Sequence, residues 1–502
     1  MHYRGLLWTL LPCAIVLSLA AGLRGAEYDE QYTLFLTSGV PRPNWPATVF
    51  PAGLVRDVQA GRTGLAAIAR DLRVTDVHPP LYFWLVSLWR DVLGHGLFAA
   101  RLLSVVLGLG ALALTGVIAR ASRLPPAAAM LLTLGCYGFT YTSVVARGFA
   151  LAQVLLLGGV VGLLLGRRVW HFVLAGALLG AATLSNYLSV FTAAACLLAI
   201  GLNTFGPGAR GPTRGVCAPG VTRHAIAALL GFLAFIPADL WWFLAQSGSR
   251  TGQFPPFSLG QSLVRLAVRF SGDILGGLPL YVDGAASKVV AGALGLLLIW
   301  LLACVVRRWR RIGQPRARIL FALAALAPVF GLLALGAIFN NTPIEVRYLT
   351  FSTPFAGLLL AGALNGRAVA LLLAVQAASI VGLMLAPQTM QPARAAAHAA
   401  AAWVEDGVVL LPRGNDGVGV VGAFAIEAPP ALPLLLIPAG ATPGQIRARL
   451  GSWHRVVLAC VEQDEASRAA AEAMRRALTG PGWREVARGA NVAVYERIGG
   501  TE

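Results

Sequence analysis

The chain carries few acidic residues, so those beside long apolar runs narrow the chemistry it can do. Asp29 and Glu30 stand in GAEYDEQYTLFL, where Tyr28, Tyr32, Leu34, Phe35 and Leu36 point to a helix resting against a membrane. Solvation falls off at such a surface, which raises a carboxylate and suits a general base. The plainer alternative is a helix-start acid favoured by the helix dipole. In DVHPPLYFWL, Asp76 and His78 precede two prolines that fix the backbone and open a helix. A histidine there can hydrogen-bond a phosphate or a sugar hydroxyl, or simply sit in an interfacial turn. Two further elements are cationic: Arg147 in YTSVVARGFAL, and Arg347-Tyr348 in NNTPIEVRYLTFSTP. Such arginines either snorkel to lipid headgroups or hold an anionic ligand.

The elements that must position these residues are apolar helices. Of the 502 residues 57% are hydrophobic and 12% charged, about half the charged share of a soluble protein. The net charge is +18 and almost all of the positive charge is arginine, with clusters in the short loops between apolar runs. That pattern marks membrane orientation and sets nucleic acid aside as a partner. The six cysteines show no metal-ligand or disulfide spacing. A span needs roughly 20 apolar residues. The windows are Leu6–Leu23, Phe98–Ile118, Pro126–Val145, Phe149–Leu165, Val169–Leu184, Tyr187–Leu202, Ala225–Leu244, Val289–Val306, Ile319–Phe339, Tyr348–Leu364 and Val369–Leu385. The first is read as an uncleaved span rather than a signal peptide, because it is nearly long enough to cross and many spans follow.

Pro79–Leu93 is short and interrupted by Arg90 and Asp91, so it reads as an interfacial helix. With that choice Arg4, Arg120 and Arg123, Arg167 and Arg168, Arg210, Arg214 and Arg223, the cluster Arg307 to Arg318, and Arg367 all fall on one side. The positive-inside bias makes that side cytoplasmic. The expected architecture is therefore an all-α polytopic membrane domain over 1–387, with about eleven transmembrane helices. It has two large outer loops: 24–97, with interfacial helices, and 246–288. Residues 388–502 form an extracytoplasmic α/β soluble domain. There GVVLLP, GVGVVGAF, PLLLIP and HRVVLACV read as strands, Thr442–Leu450 and Asp464–Leu478 as helices, and WREVARGANVAVYERI as a hairpin turning at Gly489-Ala490-Asn491. No nucleophile elbow, phosphate loop or metal cluster is visible in it.

In order and spacing these elements resemble the C-type glycosyltransferases that use polyprenyl-phosphate sugars, including protein O-mannosyltransferase-like and aminoarabinose-transferase-like enzymes. The matching pieces are Asp29-Glu30, HPPLYFWL, AARLLSVVLGLGAL, ARGFALAQ and RYLTFSTP, which cover the membrane part to about Leu364. One departure is that Val144-Val145 and Gly148-Phe149 replace the acid or Gln and the Met-Tyr that usually flank the family's Ala-Arg. The resemblance implies inverting transfer from a polyprenyl-phosphate-linked sugar donor to a lipid, glycan or protein acceptor. The reaction would take place at the outer face of the plasma (inner) membrane, in the cell envelope. It implies Asp29 as the base and Glu30 as its neighbour in the catalytic pair. Asp76, His78, Arg147, Arg347 and Tyr348 would bind substrate. No cofactor is required: a divalent metal is compatible with the chemistry, but arginines can supply the positive charge. The rival readings are a lipid or solute transporter or flippase, for which Asp239 in FIPADLWWFL is the only acid well inside a span, and a non-catalytic scaffold presenting the C-terminal domain.

Overall fold

The computed structural model describes residues 4–205, 219–246, 255–277, 284–385, 392–451, 453–462, 464–480 and 482–498. Arg210, Arg214 and parts of the 246–288 loop lie outside the described residues. Contacts gather the chain into two compact units. The first comprises Met1–Leu23, Asp76–Tyr82 and Arg101–Ala386; the second comprises Arg24–Thr75, Phe83–Ala100 and Pro387–Glu502. The unit that holds the C-terminal sheet therefore also takes in most of the first long loop, 24–97.

The first unit is helical, because only helices satisfy every backbone group inside a bilayer without a partner strand. Six described helices are long and apolar enough to cross: Gly5–Leu23, Leu97–Ala121, Thr222–Ala245, Gly284–Arg307, Pro315–Phe339 and Gly366–Leu385. Shorter apolar helices are Pro126–Gly135, Phe149–Leu165, Val169–Thr183 and Ser189–Leu202. Prolines sit in the first turns of Pro126–Gly135, Pro315–Phe339 and Thr353–Ala363, where their missing N–H costs no hydrogen bond. Leu112, Phe139, Leu156, Phe321 and Phe355 are buried in the core, while Leu296, Ile299, Phe330 and Ile338 face outward as a lipid-facing surface would. Backbones approach closely at Gly176 and Gly231: a Cβ on either would lie about 2 Å from a carbonyl of the other helix, so small residues set this packing.

Two windows expected to be continuous are broken. Pro126–Val145 divides at Cys136, whose ψ of 121° ends one helix and starts Tyr137–Ser143. The window from Tyr348 begins with a 3-10 turn, Val346–Ser352, before the helix Thr353–Ala363. Hydropathy sees composition and not such local breaks. The 246–288 loop contains a helix that the sequence alone did not mark, Leu259–Leu275, with Arg265 and Arg269 along it.

The second unit is a six-stranded sheet with helices on both faces. Its strands are β1 (Phe50–Pro51), β2 (Val408–Pro412), β3 (Pro433–Ile437), β4 (Arg455–Ala459), β5 (Trp483–Arg488) and β6 (Val492–Arg497), in the order β1-β3-β2-β4-β6-β5. β2 pairs in parallel with both β3 and β4, and β5–β6 is the expected hairpin. Thr442 and Asp464 cap the helices Pro443–Leu450 and Glu465–Leu478 with their side chains. One expectation is overturned: GVGVVGAF is not a strand, since Gly419–Glu427 is a helix joining β2 to β3. A parallel pair needs such a crossover. Gly419 through Ala425 are all buried, so the run carries no periodicity to separate helix from strand. The first loop supplies β1, antiparallel to β3, and the helices Tyr28–Ser38, Gly53–Gln59 and Leu65–Thr75. Phe35, Trp45, Phe50 and Val55 share a core with Val409, Leu411, Phe424 and Leu434. Arg90 is buried within this unit, donating to the carbonyls of Leu34, Gln59 and His95 and to the Thr37 hydroxyl.

Candidate active site

Arg147 lies on a non-helical stretch, Val144–Gly148, between Tyr137–Ser143 and Phe149–Leu165. The stretch is fixed by its neighbours. Ser104 donates to the Val145 carbonyl and bonds the Tyr82 hydroxyl, and Ser185 donates to the Gly148 carbonyl. A Cβ on Gly148 would lie 2.5 Å from the Ser185 carbonyl, so the close approach admits glycine alone. The motif residues Tyr82 and Ser104 thus hold the backbone that carries Arg147.

The Arg147 side chain is buried and meets Asp76 and His78. Nη1 lies 3.2 Å from Asp76 Oδ2, and Nη2 3.1 Å from His78 Nδ1. His78 Nδ1 is also 2.7 Å from Asp76 Oδ1, which accepts from the Val77 amide at 2.6 Å. Burial pushes the Asp76 carboxyl up, but the Arg147 guanidinium and His78 outweigh it and hold the group below the usual carboxylate range. Asp76 is therefore an anion paired to a cation, and the trio keeps its charges in a nearly dry place. The His78 carbonyl accepts from Gln246 at 2.8 Å, and Gln246 accepts from the Tyr187 hydroxyl at 3.1 Å. The Leu81 amide donates to the Leu184 carbonyl, which seats the start of the Leu81–Leu93 helix.

Arg347 pairs with Glu345 at 2.7 Å and lies over the Tyr348 ring at 5.3 Å. Arg147 acts electrostatically on the Tyr348 phenol, and Arg269 on Glu345. Asp76, His78 and Arg147 thus form one bonded cluster inside the first unit, and Glu345, Arg347 and Tyr348 another. Sequence reasoning missed Glu345, Gln246, Tyr187 and Arg269. Glu345 had a signal, standing two residues before Arg347; Gln246 and Tyr187 are polar residues at span ends with no pattern to mark them. Asp76 was read as a ligand-binding residue, and it is occupied as the counter-ion of Arg147.

Asp29 and Glu30 lie in the second unit, in the first turn of Tyr28–Ser38. Glu30 is fully buried and accepts from the Glu27 amide at 3.1 Å, closing a capping box. Asp29 is half-buried, one residue before it. Glu30 thus performs the helix-start role that was the plainer reading of the pair. Among the described residues, no group of three or more His, Cys, Asp or Glu is arranged to hold a metal ion.

No family model matches the chain, and no curated protein matches it. Solved structures do. Crystallographic ArnT from Cupriavidus metallidurans bound to undecaprenyl phosphate aligns over 99% of this chain and 99% of that one, with a TM-score of 0.51 and 14% identity. The oligosaccharyltransferase of Archaeoglobus fulgidus in the apo form aligns over 92% of this chain and 70% of that one, at a TM-score of 0.44 and 13% identity. The chain is a polytopic membrane protein with the fold of the C-type glycosyltransferases.

Proposed function

We propose that this protein transfers a sugar from a polyprenyl-phosphate donor to a lipid, glycan or protein acceptor at the outer face of the plasma (inner) membrane, with inversion. The observation that carries the reading is the buried Arg147–Asp76–His78 cluster. An arginine and a histidine together suit a phosphate, and their carboxylate fixes the geometry before a ligand arrives. The fold likeness to an ArnT that binds undecaprenyl phosphate supports the same donor class. In this reading the chain crosses the membrane eleven times, its N-terminus is cytoplasmic, and residues 388–502 are outside.

Asp29 takes the proton of the acceptor hydroxyl or amine, whose freed electron pair forms the new bond to the anomeric carbon. The bond from that carbon to the phosphate oxygen breaks, and its electrons leave on the phosphate. Arg147 and Arg347 neutralise that charge as it grows, His78 hydrogen-bonds the phosphate or sugar, and Glu30 sets the geometry around Asp29 through the capping box. Asp29→Asn keeps the shape and removes the basic oxygen, so turnover should fall by roughly 100-fold or more with donor binding intact. Glu30→Gln should cost less. The assay is release of undecaprenyl phosphate by the purified enzyme in lipid. Its substrate is whichever member of a panel of undecaprenyl-phosphate monosaccharides the wild type consumes. Full turnover in both variants would overturn the assignment of the base.

The alternative, a lipid or solute transporter or flippase, would use Asp239, which lies in Thr222–Ala245 beside the Thr183 hydroxyl. A transporter would move a lipid-linked sugar across vesicles without consuming it, and Asp239→Asn rather than Asp29→Asn would stop it.

A further inference from the structure

The C-terminal sheet has a crevice where ligands of α/β layers ordinarily bind. From β2 the chain runs to β3 on one side and then returns to β4 on the other. The space beyond the carboxyl ends of β2 and β4 is therefore a topological switch point. Arg413–Val418 follows β2, and Asp464 follows β4 at the cap of Glu465–Leu478. The Asn415 amide donates to Asp464 across the gap at 3.0 Å.

Side chains of the first outer loop, all within the same unit, fill this place. The Tyr28 ring lies on Gly419, where a Cβ would come 2.3 Å from it. The Trp45 indole donates to the Gly417 carbonyl at 2.6 Å. Gln31 packs on Gly422 and is held by Gln59 at 2.9 Å. At the centre is an array of three oxygens. Tyr32 donates to the Tyr28 hydroxyl at 2.7 Å, and Tyr28 donates to Asp464 at 3.3 Å. Tyr28 immediately precedes Asp29, and Tyr32 lies three residues on, on the Asp29 face of the helix.

We propose that the crevice is occupied in cis by the helix that bears Asp29, and that Tyr28, Tyr32 and Asp464 are positioning residues for the transfer reaction. This gives the C-terminal layer a role in turnover, and it rests on Asp29 being the base. Asp464 is committed as an acceptor, taking the amides of Asn415 and Ser467 besides the Tyr28 hydroxyl.

The test uses the full-length enzyme in lipid and the undecaprenyl phosphate release assay above. Tyr28→Phe and Tyr32→Phe keep the rings; the first removes both hydrogen bonds and the second the one between the phenols. Each should lower kcat about tenfold while the donor KM holds. In the Asp29→Asn background neither should lower turnover further, because a positioning residue acts only through the group it positions. Trp45→Phe, which loosens the same surface outside the array, should leave kcat unchanged. Wild-type kcat in both phenylalanine variants, or an equal further loss in the Asp29→Asn background, overturns the proposal. An active Asp29→Asn instead overturns the assignment of the base, and the positioning role falls with it.

Discussion

The two candidate regions hold their functional side chains by different means. Around Arg147 a full cation is buried against a full anion, with His78 wedged between them. Around Asp29 the fixing groups are two phenols and a carboxylate joined by hydrogen bonds, and the surroundings are half-open. Removing one partner of a buried ion pair leaves an uncompensated charge and costs about 3–5 kcal/mol. Removing one neutral hydrogen bond costs about 1 kcal/mol. The first region therefore couples function to stability, and the second largely separates them.

The largest expected effect comes from breaking the first region at its cation. Arg147→Ala should lower the thermal midpoint of the protein in lipid nanodiscs and abolish turnover together, by about 3–5 kcal/mol of stability. Tyr28→Phe should barely move the midpoint. An Arg147→Ala protein as stable as the wild type would erase the contrast. Next in size is Arg347, whose partner Glu345 is partly exposed, so its loss should cost little stability. Arg347→Ala should weaken binding of undecaprenyl phosphate by on the order of 1.5–3 kcal/mol, and Lys should restore only part, because it gives up the forked guanidinium. Titration calorimetry with undecaprenyl phosphate in nanodiscs reads this directly, and unchanged affinity would remove Arg347 from the phosphate site.

The smallest expected effect is a flat one. The folded Asp76 carboxyl is held below its ordinary value, about 3.9. Its contribution is thus fully present above that value and is lost as pH falls through the folded one. The difference in thermal midpoint between wild type and Asp76→Asn should stay constant from neutral pH to about pH 5, and shrink only in stronger acid. A difference that disappears near pH 6 would mean that Asp76 is not the counter-ion of Arg147.

Much of the first region was legible because charge in an apolar sequence is conspicuous. Arg147 and Arg347 stood against the orientation bias of the arginine clusters in the short loops between spans, and HPP announced a helix start beside His78. What could not be read was which charges neutralise each other: Asp76 and Arg147 are 71 positions apart, and nothing local links them. The helical character of the first unit followed from composition, but the break at Cys136 depends on tertiary packing. In the second unit, the strands of the C-terminal layer stood out as short β-rich runs. The fully buried crossover Gly419–Glu427 had the same composition as its neighbouring strands and no period of its own. The union of the first outer loop with that layer left no local trace, because its contacts are made by ordinary aromatic residues hundreds of positions from their partners.

That union has a bearing on how the molecule is made. β1 has no partner until β3 exists, and Tyr28 waits for Asp464, which is 436 positions later. At ordinary elongation speeds this is a delay on the order of tens of seconds. During it the first loop is already outside the membrane, in the orientation proposed here, with Phe35, Trp45 and Phe50 lacking the core that will cover them. The last helices must be inserted and the C-terminal segment translocated before the loop can find its place. Completion of the sheet is thus a late checkpoint in biogenesis, and a chain that stops short of β3 leaves an exposed apolar loop for quality-control proteases to recognise.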